Sequence, residues 1–362
     1  MRLTRLDLHR VRRFEYVRFN PDTGLNLLLG DNGAGKSTVL EALHLLAYGR
    51  SFRGRVRDGL IQRGASSVDV FAEWLVGDDP NRRQVGLHHS GASWSGRLDG
   101  QDVDQLGTLC QALSVVTFEP GSHALISGAA EVRRKYLDWG VFHVEQDSLV
   151  PWRRYHRALK QRNALLKLGR AGSELETWDH ELADAGAPVD AMRQAYVESL
   201  SVVFARTAKL LVPTIGDVEL LYRPGWRRVE MGLADALLLA RDRDRSAGFT
   251  SVGPHRADAS FSFDMFPGRD ALSRGQAKLL ALSLLVAQAE HQAGVRGHWP
   301  IVALDDIASE LDTTHQELLL HRLDGVGAQV LMTGTHRPGA MGTAGLPLSV
   351  FHVEQGRILE SA

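Results

Sequence analysis

Apolar and polar positions alternate from the start of the chain, with Leu3, Leu6, Leu8 and Val11 set between charged side chains and Phe14-Glu-Tyr-Val-Arg-Phe continuing the pattern. A turn at Asn20-Pro21-Asp22-Thr23-Gly24 precedes the apolar run Leu25-Asn26-Leu27-Leu28-Leu29, so residues 1–30 read as strands. Helical spacing takes over across residues 36–48 and stops at Gly49. Between 68 and 105, short runs such as Val68-Asp-Val-Phe-Ala-Glu-Trp-Leu-Val and Gln84-Val-Gly-Leu-His-His are punctuated by Gly, Asp and Pro, the mark of antiparallel hairpins. One more strand is expected over 113–118, ahead of Glu119-Pro120-Gly121.

From about 130 to 211 apolar residues recur at helical intervals, as in Tyr155, Leu159, Leu165, Leu166 and Leu168. Breaks are expected at Ala171-Gly172 and at Ala185-Gly186-Ala187-Pro188, so no long coiled coil is sustained. A Gly/Pro loop over 246–258 and a short strand at 259–263 follow. The last stretch returns to alternating strands and helices, with Pro300-Ile-Val-Ala-Leu and Gln329-Val-Leu-Met-Thr as buried strands. The pattern predicts an α/β fold in two parts: one lobe from 1–125 and 250–362, and an inserted, mainly helical lobe over 126–249.

The junction between the apolar run at 25–29 and the first helix carries Gly30-Asp31-Asn32-Gly33-Ala34-Gly35-Lys36-Ser37, a match to the phosphate-binding pattern G-x-x-x-x-G-K-[ST] in its required strand–loop–helix setting. Glycines turn successive backbone N–H groups inward as an anion nest, and the helix starting near Lys36 points its positive end at the same place. Lys36 is then the point charge for the outer phosphates, Ser37 a hydroxyl ligand for Mg²⁺, and Thr38 a further phosphate contact.

Far along the chain, Ile301-Val302-Ala303-Leu304-Asp305-Asp306 is an apolar strand ending in two carboxylates. Such a pair can simply cap the next helix. With the phosphate loop upstream it is expected to carry chemistry, Asp305 on the metal side and Asp306 orienting or deprotonating the attacking water. Between the two motifs lies Leu272-Ser273-Arg274-Gly275-Gln276 ahead of an apolar helix. Ser273 suits an N-cap, and the same hydroxyl with free amides can hold a phosphate end.

Charge and composition narrow the setting. Net charge is −1 over 362 residues, with 44 % hydrophobic and 23 % charged, which fits a globular protein without a polybasic tail. Nucleic-acid contact would therefore need local patches, for which the candidates are Arg50/Arg53/Arg55/Arg57, Arg133/Arg134/Lys135 and Arg153/Arg154/Arg157/Lys160/Arg162; each can equally be a solvated face. The single cysteine, Cys110, excludes an intrachain disulfide and is expected to be buried. The first residues lack the apolar core of a signal peptide, and no run suits a membrane span, so a cytoplasmic location is expected.

The segment 272–276 closely resembles the Leu-Ser-Gly-Gly-Gln signature of ABC-type ATPases, with Arg274 in place of one Gly. Ser309-Glu310-Leu311-Asp312 resembles their D-loop, and Thr333-Gly-Thr-His336 their switch histidine, although His336 can also be an exposed loop residue. With Gly49-Arg-Ser-Phe-Arg, Glu131-Val-Arg-Arg-Lys-Tyr-Leu-Asp138, Gly253-Pro-His-Arg-Ala-Asp258 and Phe351-His-Val-Glu-Gln-Gly-Arg-Ile, nearly the whole chain resembles the RecF family, relatives of SMC-type ATPase heads. The resemblance implies an ABC-type P-loop ATPase head with a mixed sheet, an antiparallel β subdomain and an inserted helical subdomain. It further implies ATP and Mg²⁺ as cofactors, and an ATP-dependent homodimer in which Lys36 and Asp305 of one copy face Ser273, Gly275 and Gln276 of the other. Its implied partners are double-stranded and gapped DNA, and RecR with RecO in RecA loading; a nucleoid-associated location and a weak, DNA-stimulated ATPase follow. Arg12, in Arg10-Val11-Arg12-Arg13, stands where the family's Asn/Asp-Phe-Arg-Asn element would place a nucleotide contact. Glu119 or Pro120 occupies the region of the expected lobe-joining Gln. An ABC transporter nucleotide-binding subunit and a non-hydrolysing SMC-like ATP switch are the alternatives.

Overall fold

A computed structural model describes residues 1–56, 59–77, 79–170, 172–337, 339 and 347–360. The chain divides into two compact units, 1–122 with 288–362, and 123–287. Residues 250–287, expected with the nucleotide lobe, belong to the second unit. The strand Asp258–Phe263 is tied into that unit: it pairs antiparallel with Val218–Arg223, and Asp258 accepts from Arg133 Nε and Nη2 at 2.7 and 3.0 Å.

The first unit holds two six-stranded sheets. One is antiparallel, in the order Phe14–Phe19, Arg2–Val11, Val68–Leu75, Arg83–His89, Trp94–Leu98 and Gln101–Val103. Its strict alternation at Val68–Leu75, where Val68, Val70, Ala72 and Trp74 are buried, is the period of two expected of a one-sided sheet. The other sheet places Leu25–Leu29 between Leu348–Glu354 and Val330–Gly334, followed by Ile301–Leu304 and Val115–Phe118, all parallel; Arg357–Glu360 closes one edge antiparallel. Ile301–Leu304 and Val330–Gly334 in this sheet are buried at every position and apolar apart from Thr333, because both faces are covered.

The helix Lys36–Tyr48 contributes Val39, Leu40, Leu43, Leu45 and Leu46 to the core shared with both sheets, and is buried on every side. Gly49 caps it in the left-handed conformation, its N–H donating to Leu45 O. Parallel neighbours bring the C-terminal ends of Leu25–Leu29, Ile301–Leu304 and Val330–Gly334 side by side, the usual place for a ligand in such a sheet. Cys110 is buried, which pushes its thiol up to about 12.

The second unit is built on the helices Ala130–Val144, Leu149–Lys167, Ser173–Leu211 and Leu233–Ala247, with the antiparallel strand pair of Val218–Arg223 and Asp258–Phe263. The break expected at 185–188 does not occur: one helix of 39 residues runs through Pro188. An internal proline costs about 3 kcal/mol, but Leu182, Ala185 and Val189 on both sides of it are buried against Tyr155, Leu233 and Leu237. Gly186 serves that packing, since a Cβ there would lie 2.6 Å from Leu233. Proline-type local weakness yields to tertiary burial.

The motif Gly253-Pro-His-Arg is internal to this unit. His255 Nε2 donates to Thr250 O at 2.9 Å, which leaves Nδ1 to accept from the Tyr155 hydroxyl at 2.6 Å. Arg162, fully buried, donates to Asp179 at 2.6 Å, Asp244 at 2.7 Å and Thr250 Oγ1 at 2.9 Å, tying three helices and a loop together.

Candidate functional site

The phosphate loop is shaped by close packing as much as by flexibility. Gly35 has φ +114°, and a Cβ on it would lie 2.8 Å from the Phe14 ring; a Cβ on Gly30 would lie 2.4 Å from Val353 O. Gly33 is also left-handed, with φ +79°. The Asp31 carbonyl accepts from the Ala34 N–H at 3.1 Å and that of Gly35 from Thr38 N–H at 2.9 Å, closing the loop onto the first turn of the helix. Lys36 Nζ donates to the Gly30 and Asp31 carbonyls at 2.7 and 2.9 Å, so the ammonium is held over the loop that expects phosphate. Burial lowers its pKa, against the pull of Asp306, Asp305 and Asp31.

A cavity of about 630 Å³ collects the two motifs: Asn32, Gly33, Gly35, Lys36, Ser37 and Thr38 face Asp305 and Asp306 across it. Gly30, Asp31 and Ala34 shape the loop from outside that lining. Asp305 is 1 % exposed; its Oδ1 accepts from Thr333 Oγ1 at 2.7 Å, and its Oδ2 lies 3.5 Å from Arg53 Nη2. Asp306 adopts φ 54° as the residue before the short helix Ile307–Glu310, and its N–H donates to Thr333 Oγ1 at 2.8 Å. Among the described residues no group of three or more His, Cys, Asp or Glu side chains is placed to hold a metal alone. The donors that do face the cavity, the Ser37 hydroxyl and the Asp305 carboxylate, are hard oxygens suited to Mg²⁺ once phosphate oxygens complete the shell.

Arg12 lines the same cavity, where Nε and Nη2 form a two-point pair with the fully buried Glu41 at 2.8 and 2.9 Å. Ser51 Oγ also donates to Glu41 and accepts from Arg53 N–H at 2.9 Å. Sequence reading missed Arg13, Arg63 and Thr333 as lining residues and took Arg53 for a DNA contact. Arg13 stands in the Arg10-Val11-Arg12-Arg13 element, of which the resemblance singles out only Arg12, Arg63 lies in a loop without a motif, and Thr333 sits inside an apolar strand where a β-branched residue is unremarked. Pro120 lines the cavity as well.

His336 is exposed and lies outside the lining; its Nδ1 is 3.1 Å from Thr335 Oγ1. Ser273, Gly275 and Gln276 belong to the second unit. Ser273 Oγ accepts from Gln276 N–H at 3.2 Å while Gln276 Oε1 accepts from Ser273 N–H at 2.9 Å, a reciprocal cap that leaves Ser273, Arg274 and Gly275 exposed at the head of the helix Arg274–Arg296. Asp312, from the D-loop-like segment, caps the helix Thr313–Gly325 through His315 N–H at 2.9 Å.

Two of the three basic clusters each lose an arginine to the interior. Arg133 is buried against Asp258 and the Gly128 carbonyl, Arg134 donates to Ala257 O at 2.8 Å, and Lys135 pairs with Glu131. Arg162 is buried and Arg154 pairs with Glu181, leaving Arg157 and Lys160 exposed on that helix. Arg50 and Arg55 instead line a second cavity of about 510 Å³ with Ser51 and His89. Arg57, the remaining member of that cluster, lies outside the described residues.

A parallel sheet that delivers a phosphate loop and a paired-acid strand end to one cavity, joined to an antiparallel sheet, defines a P-loop ATPase head of the ABC and SMC type. Residues 2–359 match the RecF/RecN/SMC N terminal domain. The chain is 59% identical over 99% of its length to the DNA replication and repair protein RecF of Stenotrophomonas maltophilia (strain R551-3), covering 99% of that relative. It is 37% identical to RecF of Thioalkalivibrio sulfidiphilus (strain HL-EbGR7), with 99% of both chains covered. The solved recombination mediator protein RecF with ATP, of the RecFOR pathway, superposes with TM-score 0.89 at 25% identity over 100% of this chain and 98% of that one. The Smc head bound to the C-winged helix domain of ScpA shares the fold, with TM-score 0.59 at 14% identity over 100% and 97%. The chain belongs to the RecF family of DNA replication and repair proteins.

Proposed function

We propose that this chain binds and slowly hydrolyses ATP, that ATP joins two copies head to head, and that the closed pair grips double-stranded or gapped DNA. The observation that carries the reading is the single cavity holding Lys36, Ser37, Asp305 and Asp306. In this reading Lys36 leaves the Gly30 and Asp31 carbonyls for the outer phosphates, the amides of the loop hold the phosphate oxygens, and Arg12 adds a second cation steadied by Glu41. Bound Mg²⁺ supplies charge neutralisation at the phosphates, with Ser37 and Asp305 as its protein ligands. Asp306 orients the attacking water, and His336 is assigned to the γ-phosphate only in the closed pair.

The exposed, self-capped Ser273-Arg274-Gly275 segment, with Gln276 holding the cap, supports a helix-end contact to the partner's nucleotide. Loss of the γ-phosphate would then release the pair. DNA contact falls best to Arg50 and Arg55, and to Arg157 and Lys160, as sequence-independent phosphate contacts. DNA stimulation of turnover, work with RecO and RecR in RecA loading at gaps, and a cytoplasmic, nucleoid-associated location belong to the same proposal. Full-length similarity to RecF favours it over a transporter subunit, and among the described residues no helix is long and apolar enough to cross a membrane. A non-hydrolysing switch is separated by assay: phosphate release by the wild-type protein with and without duplex DNA, against Lys36→Ala. DNA-stimulated release lost in the variant supports the reading; equal release from both proteins overturns it.

A further inference from the structure

The strand Val330–Gly334 is buried at every position, and its residues are apolar except Thr333. A valine would fill the same shape there, so packing alone gives no reason for a hydroxyl. The hydroxyl is fully used. Asp305 as a carboxylate can only accept, so Thr333 Oγ1 donates its one proton to Asp305 Oδ1 at 2.7 Å, and its lone pairs receive the Asp306 N–H at 2.8 Å.

One side-chain oxygen therefore grips both acids of the site, one by its carboxylate and the next by its backbone. The grip on Asp305 engages Oδ1 and leaves Oδ2, which pairs only with Arg53 Nη2 at 3.5 Å, as the oxygen turned to a cation. At Asp306 the grip fixes the amide of a residue with φ 54°, whose carbonyl in turn accepts from Ser309 and Glu310 N–H at 3.0 and 3.2 Å. With the peptide held from both sides, the Asp306 carboxylate has a fixed exit into the cavity. Ligand orientation by a buried neighbour is the general means by which a site keeps its metal affinity.

We propose that Thr333 is the positioning residue for both acids, setting the free carboxylate oxygen of Asp305 toward a nucleotide-bound divalent cation and the Asp306 side chain toward the attacking water. The inference rests on the assignment of Asp305 to the metal side made above. It gives Thr333→Val a specific signature: nucleotide affinity without divalent cation stays at the wild-type value, because Lys36 and the loop amides are untouched. The gain in affinity that magnesium brings falls by about 10–100-fold. Thr333→Ser, which keeps the hydroxyl, restores most of that gain.

The test is equilibrium binding of a fluorescent ATP analogue to the full chain, with EDTA and across a magnesium titration, for wild type, Thr333→Val, Thr333→Ser and Asp305→Asn. Thermal melting of each ligand-free protein accompanies it. A magnesium-specific loss in Thr333→Val with rescue in Thr333→Ser supports the proposal. Equal loss with EDTA and with magnesium overturns it, because the hydroxyl would then merely support the loop. If Thr333→Val does not fold, Thr333→Ala carries the same comparison. Should Asp305→Asn keep the full magnesium gain, the metal-side assignment itself fails. If Asp305→Asn loses the gain while Thr333→Val keeps it, only the positioning role fails.

Discussion

Replacing Arg162 by Met tests whether the basic run on the helix Leu149–Lys167 is an internal pin or a DNA surface. The guanidinium is fully buried and contacts Asp179, Asp244 and Thr250. Asp179 keeps Arg241, whose Nη2 lies at 2.8 Å, so its charge stays compensated in the variant. Asp244 is 0 % exposed and loses its cation, retaining the Ser251 N–H and hydroxyl. Breaking a buried pair from one side costs about 3–5 kcal/mol, and the surviving partners place this change near 3. For a unit of about 150–250 residues that is a drop in melting midpoint of roughly 6–12 °C. Calorimetry on Arg162→Met beside wild type reads the midpoint, and a salt titration of duplex DNA binding reads the second property. An unchanged midpoint together with weaker, flatter salt dependence would refute the internal assignment and return Arg162 to the DNA surface.

Gly35→Ala forces a side chain into φ +114° and within 2.8 Å of Phe14, costing about 2–6 kcal/mol from strain and overpacking together; ATP binding by fluorescence should vanish, and wild-type affinity would contradict the loop geometry. Burial holds His255 down to about 4 from 6.5. Because the folded value is the lower one, its stabilising contribution is complete above pH 6.5 and is lost as pH falls toward 4, roughly 3 kcal/mol in all. Melting curves across that range should therefore be flatter for His255→Gln than for wild type, and parallel curves would remove His255 as a cause. Arg50→Ala with Arg55→Ala should weaken binding to all duplex sequences and reduce the salt slope by about 2, and an unchanged slope would exclude the second cavity as a DNA face.

Motifs whose chemistry is local were readable along the chain. The phosphate loop is bounded by a strand and by a helix that begins at Lys36 and stops before Gly49, because both ends are written in glycine geometry. Walker-type acids at the end of Ile301–Leu304 were equally legible, since a short apolar run bounded by polar residues is a buried parallel strand. What local pattern could not carry was partnership. Arg133 and Arg162 look like surface charge in sequence, yet Asp258, Asp179 and Asp244, distant in the chain, bury them. Pro188 and Gly186 look like a break, yet packing against Tyr155 and Leu233 keeps the helix continuous. Thr333 escaped notice because a threonine fits a strand without any need of its hydroxyl, and only the adjacent strand end reveals the two bonds it makes.

The most direct measurement is the solution mass by light scattering without nucleotide, with ADP and with ATP, each with and without duplex DNA, for wild type and Ser273→Arg. Ser273 is exposed, so the arginine does not enter a core; it costs about 1 kcal/mol as a lost helix cap. A monomer that doubles in mass only with ATP, and fails to do so in Ser273→Arg, is the expected result. A mass indifferent to nucleotide, with DNA binding equally indifferent, would contradict the ATP-joined clamp.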